Sequence, residues 1–174
     1  MKRLATVVSV LLACCFALVV VTGAYLATVY SPSEVEVVYD GSYEPLRGVM
    51  MSDAYASALE LSFDRRGGLL AQQWHLGFTR ALLALAVLRA ALALLTRPFR
   101  PRRLGWAALL ALVAANAVIG RRLLGDPASG EVPLPWWYAA HLLVAAVTAI
   151  AWTWAWLRGR RTAPEPAPDV AGAV

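Results

Sequence analysis

The chain has 174 residues, of which 60% are hydrophobic and 16% charged, with a mean hydropathy of +0.59 and a formal charge of +5. A soluble domain carries about one quarter charged residues, so the composition excludes an ordinary soluble fold and points to a membrane protein. The basic residues fall in short clusters between apolar runs, with no basic face and no aromatic RNA-binding pattern, so membrane orientation explains them and a nucleic-acid partner does not.

A bilayer crossing needs about 20 mostly apolar residues. Four stretches meet that length, at 4–29, 69–95, 104–124 and 134–157. They predict an all-α membrane protein, a four-helix transmembrane bundle occupying residues 1–161. The first stretch follows Lys2 and Arg3 and holds the only cysteines, Cys14 and Cys15. Adjacent cysteines cannot staple a fold, and no CxxC or CxxCH pattern exists. Leu11-Leu12-Ala13-Cys14 looks like a lipoprotein cleavage box, but the apolar run continues to Tyr30. A secretory signal core spans only about 7–15 residues, so this run is expected to cross the membrane and stay.

Residues 31–68 form a long connection. Within it, Asp53 to Phe63 reads as a short amphipathic helix lying along the membrane surface, and Gly67-Gly68 turns the chain into the second span. Pro98 and Pro101 suit a tight turn to the third span. Trp136, Trp137 and Tyr138 suit an aromatic belt at the start of the fourth. No internal repeat is visible. Residues 162–174, rich in Pro and Ala, read as a disordered tail.

Charge sets the expected orientation. Lys2, Arg3, Arg97, Arg100, Arg102, Arg103, Arg158, Arg160 and Arg161 are nine of the sixteen basic residues, and all fall on one side. The other side receives nine of the eleven acids: Glu34, Glu36, Asp40, Glu44, Asp53, Glu60, Asp64, Asp126 and Glu131. By the positive-inside rule both termini are cytoplasmic, in a multi-pass protein of the cell membrane.

The two histidines, His75 and His141, sit on the second and fourth spans, which run in the same direction. Each lies roughly 10 Å below the outer boundary at about 1.5 Å per residue. Two imidazoles at matched depth on separate helices can ligate one metal or the iron of one haem, as bundle sites do. The alternative is that each makes only an interior hydrogen bond. Two ligands are too few for structural zinc, whereas they complete an iron that a porphyrin already holds. Arg89 is near enough to the cytoplasmic face to snorkel. Arg80 is close to mid-membrane, where it needs a carbonyl, Asn116, or an anionic group of a cofactor or quinone.

The stretch Tyr39 to His75, YDGSYEPLRGVMMSDAYASALELSFDRRGGLLAQQWH, resembles the cytochrome b subunit of bacterial, especially actinobacterial, quinol:cytochrome c oxidoreductases. The likeness begins near Thr22-Gly23 and continues weakly through Leu104-Gly105-Trp106. The resemblance implies a cytochrome b N-terminal-domain-like bundle in which the second and fourth helices each carry two haem ligands. Those in the second helix are spaced about fourteen residues apart, which returns to the same face about 20 Å further along. His75 and His141 match the outer ligand on each helix. The inner ligands would fall at Arg89 and near Ala155 or Trp156, none of which ligates haem.

The resemblance therefore implies one non-covalent haem b, held axially by His75 and His141, with the inner haem lost. Where the family has a propionate-binding arginine, this chain has Gln72. Arg121, Arg122, Arg65 or Arg66 would compensate, with Gln72 and Arg80 as further haem-edge contacts. The family's C-terminal half, with its quinol-oxidation loop, has no counterpart here. The implied role is electron transfer in or beside a respiratory quinol:cytochrome c reductase, with iron–sulfur and cytochrome c subunits as partners and a quinone as a further ligand. The competing expectation is a haem-free divergent cytochrome b acting as a structural or assembly subunit. A small transporter or channel fits less well, because the spans lack an inverted repeat and an acidic relay.

Overall fold

A computed structural model describes residues 2–95, 101–124 and 132–161. The helices are α1 (Lys2–Ala27), α2 (Asp53–Phe63), α3 (Gly68–Leu95), α4 (Pro101–Arg121) and α5 (Leu134–Arg161). Between α1 and α2 lies an antiparallel hairpin, β1 (Glu36–Val38) with β2 (Met50–Ser52), in the register Glu36–Ser52, Val37–Met51 and Val38–Met50. One short 3-10 turn, Glu44–Leu46, sits in the hairpin loop, and another, Arg122–Leu124, extends α4.

The helices follow the apolar runs. α1, α3 and α5 are long and apolar enough to cross a membrane, which makes the chain a multi-pass membrane protein. The apolar part of α4, Gly105–Arg121, is shorter. At about 1.5 Å per residue it covers about 26 Å, a little less than the roughly 30 Å hydrocarbon core. Contacts nevertheless fix its direction. Tyr25 of α1 donates to the Arg66 carbonyl just before α3, and Glu34 just after α1 accepts from the Leu134 amide that starts α5. So α3 and α5 both begin at the end of the bundle where the hairpin lies, and α4 must carry the chain back between them.

The hairpin end is built by local chemistry. Ser52 caps α2, its hydroxyl accepting from the Tyr55 amide at 3.3 Å. Asp53 also accepts from the Ser31 hydroxyl at 2.5 Å. The Ser52 cap satisfies an amide that a helix leaves unpaired in its first turn. Gly67 has φ +75°, the left-handed region that favours glycine. Its neighbour Gly68 lies so close to α2 that a Cβ there would stand 1.7 Å from the Leu61 carbonyl oxygen. The α2 boundaries agree with the expectation for Asp53–Phe63. The β hairpin was not foreseen: its strands are three residues each, too short for a period-2 signal.

Tyr30 closes the bundle under the hairpin. It packs on Tyr138 at 5.7 Å between ring centroids and donates to the Leu123 carbonyl. Burial, and secondarily Tyr138, push the Tyr30 phenol up to about 12. In the half of the bundle away from the hairpin, Val8, Leu12, Leu82, Ala86 and Val113 form the buried core, with Phe16, Trp106, Leu110 and Trp152 against it. The turn at 96–100, the loop at 125–131 and the tail at 162–174 lie outside the described residues, and with them Pro98, Asp126 and Glu131.

Candidate functional site

His75 and His141 are each seven residues beyond the first residue of their helix, Gly68 of α3 and Leu134 of α5. Because those helices start at the same end, the matched count becomes matched depth, about 10 Å in. The rings meet across the bundle with centroids 6.3 Å apart and planes at 69°.

Each imidazole is held from behind by the helix next to it. His75 Nδ1 is 3.1 Å from the Val19 carbonyl and 3.1 Å from the Thr22 hydroxyl, both on α1. The Thr22 hydroxyl donates to the Leu18 carbonyl at 2.7 Å, leaving its lone pairs to the imidazole. His141 Nδ1 is 3.3 Å from the Asn116 carbonyl on α4. A carbonyl only accepts, so Nδ1 carries a proton on both rings, and in the neutral imidazole Nε2 then keeps its lone pair. This is the tautomer in which imidazole binds a metal through Nε2, with Nδ1–H anchored to the backbone.

A glycine stands one turn beyond each anchoring carbonyl. Gly23 follows Val19 by four residues, and a Cβ on it would lie 3.0 Å from His75 Cε1. Gly120 follows Asn116 by four, and a Cβ on it would lie 2.8 Å from His141 Cε1. Both distances are below ordinary contact, so an added Cβ would displace the His141 ring and press on the His75 ring. Glycine inside a helix costs about 1 kcal/mol against alanine. Two such glycines at matching places on α1 and α4 are explained by the rings they admit.

The 6.3 Å between the ring centroids is compatible with one metal ion between the two imidazoles. With about 2.0 Å from metal to each nitrogen and each ring centroid about 1.1 Å behind its nitrogen, the centroids of two ligating imidazoles stand about 6 Å apart. The donor set is two imidazoles whose Nδ1 faces a carbonyl, and no group of three or more His, Cys, Asp or Glu side chains placed to hold a metal ion exists among the described residues. Two protein ligands suit a metal whose other positions are filled by a macrocycle.

The remaining predicted contacts are dispersed. Gln72 serves the junction of α2 and α3: its Oε1 accepts from the Ser62 hydroxyl at 2.9 Å and its amide donates to the Ala58 carbonyl at 3.3 Å. Arg65 pairs with Glu60 at 2.7 Å. Arg122 lies over the Trp137 ring, 5.7 Å from its centroid, one turn before His141 on the hairpin side. Arg121 is exposed at the end of α4. Arg80 is exposed as well; five residues on from His75, it points about 140° away around α3. The structure does not bring it to the histidines.

Arg89 is absorbed into packing on the side away from the hairpin. Its Nε donates to the Ser9 hydroxyl at 3.0 Å, and its guanidinium lies 4.1 Å from the Trp106 ring centroid. Beside it Phe16 and Trp152 stack at 5.5 Å with planes 9° apart.

Sequence reasoning found the histidines and missed their supports: Val19, Thr22, Gly23 and Gly120, and the use of Asn116 through its carbonyl. The available signal was the pair of glycines inside apolar helices. The buried Oδ1 of Asn116 has no hydrogen-bond partner, so its side chain does not anchor Arg80.

No family profile matches the chain. Among curated proteins it is similar to the cytochrome bc1 complex cytochrome b subunit of Streptomyces coelicolor, 42% identical over 119 residues. It is likewise similar to the subunits of that name from Mycobacterium tuberculosis, at 40%, and Corynebacterium diphtheriae, at 39%. Each match covers 66% of this chain and 22% of the relative, so the chain spans about a fifth of the length of the curated relatives it matches. With helices long enough to cross a membrane and identity near 40% over 119 residues, this part of the chain is similar to the cytochrome b subunits of actinobacterial cytochrome bc1 complexes.

Proposed function

We propose that the chain is a membrane cytochrome of b type that binds one haem b between His75 and His141 and passes single electrons within, or beside, a quinol:cytochrome c reductase. The observation that carries this reading is the pair of imidazoles 6.3 Å apart, each anchored at Nδ1 by a backbone carbonyl and admitted by a glycine. When bound, the haem supplies a one-electron iron couple whose potential the axial ligands and dry surroundings tune. His75 and His141 would hold the iron. Val19, Thr22 and Asn116 fix the ring orientation and keep Nε2 free of its proton. Arg122, on the rim above His141, is the favoured partner for a propionate.

By this reading residues 1–161 form one four-span domain with both termini cytoplasmic, and the hairpin end faces outward. The charge distribution supports that orientation. Iron–sulfur and cytochrome c subunits are the expected neighbours, by analogy with the relatives' complex. The purified protein should show a reduced b-type α band and one haem per chain by pyridine haemochrome assay. His75→Ala and His141→Ala should each abolish both. A wild-type protein that takes up no haem leaves the structural or assembly subunit as the correct reading.

A further inference from the structure

Arg80 and Arg89 lie on the same helix and meet opposite circumstances. Arg89 is enclosed by Ser9 and Trp106. Arg80 faces away from the bundle, exposed, with no hydrogen-bond or ion-pair partner among the described residues. It is the thirteenth residue of a 28-residue helix, within about 3 Å of the helix midpoint. An arginine side chain reaches roughly 7 Å, and the hydrocarbon core extends about 15 Å to either side of its centre. From that depth the guanidinium does not reach either interface.

The face around it differs from a lipid-facing surface. Gln73, Gly77, Arg80, Ala84 and Val87 recur at alternating spacings of four and three and fall within an arc of about 80° on α3. All five are exposed. Gly77 has nothing within 4 Å of where a Cβ would stand, so another backbone has room to approach there. Exposed apolar side chains flank this stripe, Leu70, Trp74 and Leu88 among them, as Leu142, Leu143, Val147 and Ile150 do on α5, but only α3 exposes a charge between them. Charges inside a membrane are paired with an opposite charge or with polar groups. α1, α3, α4 and α5 contain no Asp or Glu, so neither this chain nor a second copy supplies a carboxylate at that depth.

We infer that this face of α3 is an intramembrane docking surface for a transmembrane helix outside these 174 residues, one that presents an aspartate or glutamate to Arg80. Gly77 and Ala84 allow the close approach, Arg80 supplies the charge, and Gln73 offers a second polar contact about two turns nearer the hairpin. The inference rests on the membrane-crossing reading and is independent of haem.

The test places a photoreactive amino acid at Ala84 of the full chain, irradiates native membranes, and sequences the cross-linked peptides by mass spectrometry. The expected adduct is a hydrophobic transmembrane peptide carrying a mid-span Asp or Glu. Its yield should fall at least tenfold with Arg80→Gln and largely survive Arg80→Lys, and the same probe at Ile150 should not capture it. Adducts only to lipid, adducts only to a second copy of this chain, a captured peptide without a carboxylate, or a yield indifferent to Arg80→Gln would each overturn the inference. Arg80→Gln should also leave the haem spectrum of the wild-type protein unchanged; loss of the α band in that variant would assign Arg80 to the histidine site instead.

Discussion

Gly120→Ala is the most informative single change, because its effects on the helix and on the site have opposite signs. The added Cβ would lie 2.8 Å from His141 Cε1, where ordinary contact begins at 3.4 Å. The imidazole must therefore retreat by about 0.6 Å, or α4 must part from α5. Metal–ligand distances tolerate only about ±0.2 Å, so Nε2 is carried out of ligating range unless the helices shift. Disturbing the support of a metal-binding histidine typically lowers affinity about 10–100-fold, and that is the loss of haem affinity expected here. The same substitution favours α4 by up to about 1 kcal/mol of helix propensity. Titrating haem into the apoprotein in detergent, and following its thermal unfolding by circular dichroism, separates the two. Weakened haem uptake with undiminished apoprotein stability is the predicted outcome. Gly23→Ala should act in the same direction but more mildly, because its Cβ would stand 3.0 Å from His75. Wild-type haem affinity in Gly120→Ala would refute the proposed role of the glycine and weaken the case for His141 as a ligand.

Gln72→Ala should leave haem content unchanged but release α2 from α3. Loss of two hydrogen bonds, at about 1 kcal/mol each, should speed proteolysis of residues 31–67, and a lowered haem content would instead place Gln72 at the cofactor. Arg89→His restores an imidazole where the family resemblance implies the inner ligand. Haem should stay at one per chain, since Ala155 and Trp156 offer no ligand opposite; two haems by pyridine haemochrome assay would contradict this. Tyr30 gives a pH dependence. Its phenol is raised to about 12 from an ordinary 10, so the fold favours the neutral form. Its stabilising effect is fully present below pH 10 and is lost as pH climbs from about 10 to 12. Thermal denaturation of Tyr30→Phe should lack that alkaline component, and an identical alkaline loss in the variant would rule out Tyr30 as its source.

Helix positions were legible because a membrane helix announces itself by length and apolarity alone. The run 69–95 predicts α3 (Gly68–Leu95) to within a residue at its start. The matched depth of His75 and His141 was equally legible, since depth follows from counting along parallel helices. What could not be read was which neighbour each ring touches. Val19 and Asn116 act through backbone carbonyls, which carry no side-chain signature, and their selection depends on how α1 and α4 rotate about their own axes. Arg80 illustrates the same limit: its depth follows from the sequence, but its outward direction follows from which face of α3 meets α1 and α4. The hairpin was hidden for another reason. Its three-residue strands are held by main-chain pairing and by the Tyr39–Val49 and Gly48–Tyr39 backbone bonds, and main-chain pairing is nearly indifferent to sequence.

The bond from the Leu134 amide to Glu34 joins residues one hundred positions apart. Closing it requires that the chain between them has already left the hairpin side and returned. Such a distant contact forms late, since the entropy of closing the intervening loop must be met before the contact contributes. During synthesis residue 34 therefore waits, its carboxylate solvated, until α4 and the start of α5 have been delivered. The bond closes only once the start of α5 has returned to the hairpin end, and a chain arrested after α3 would expose that end without it.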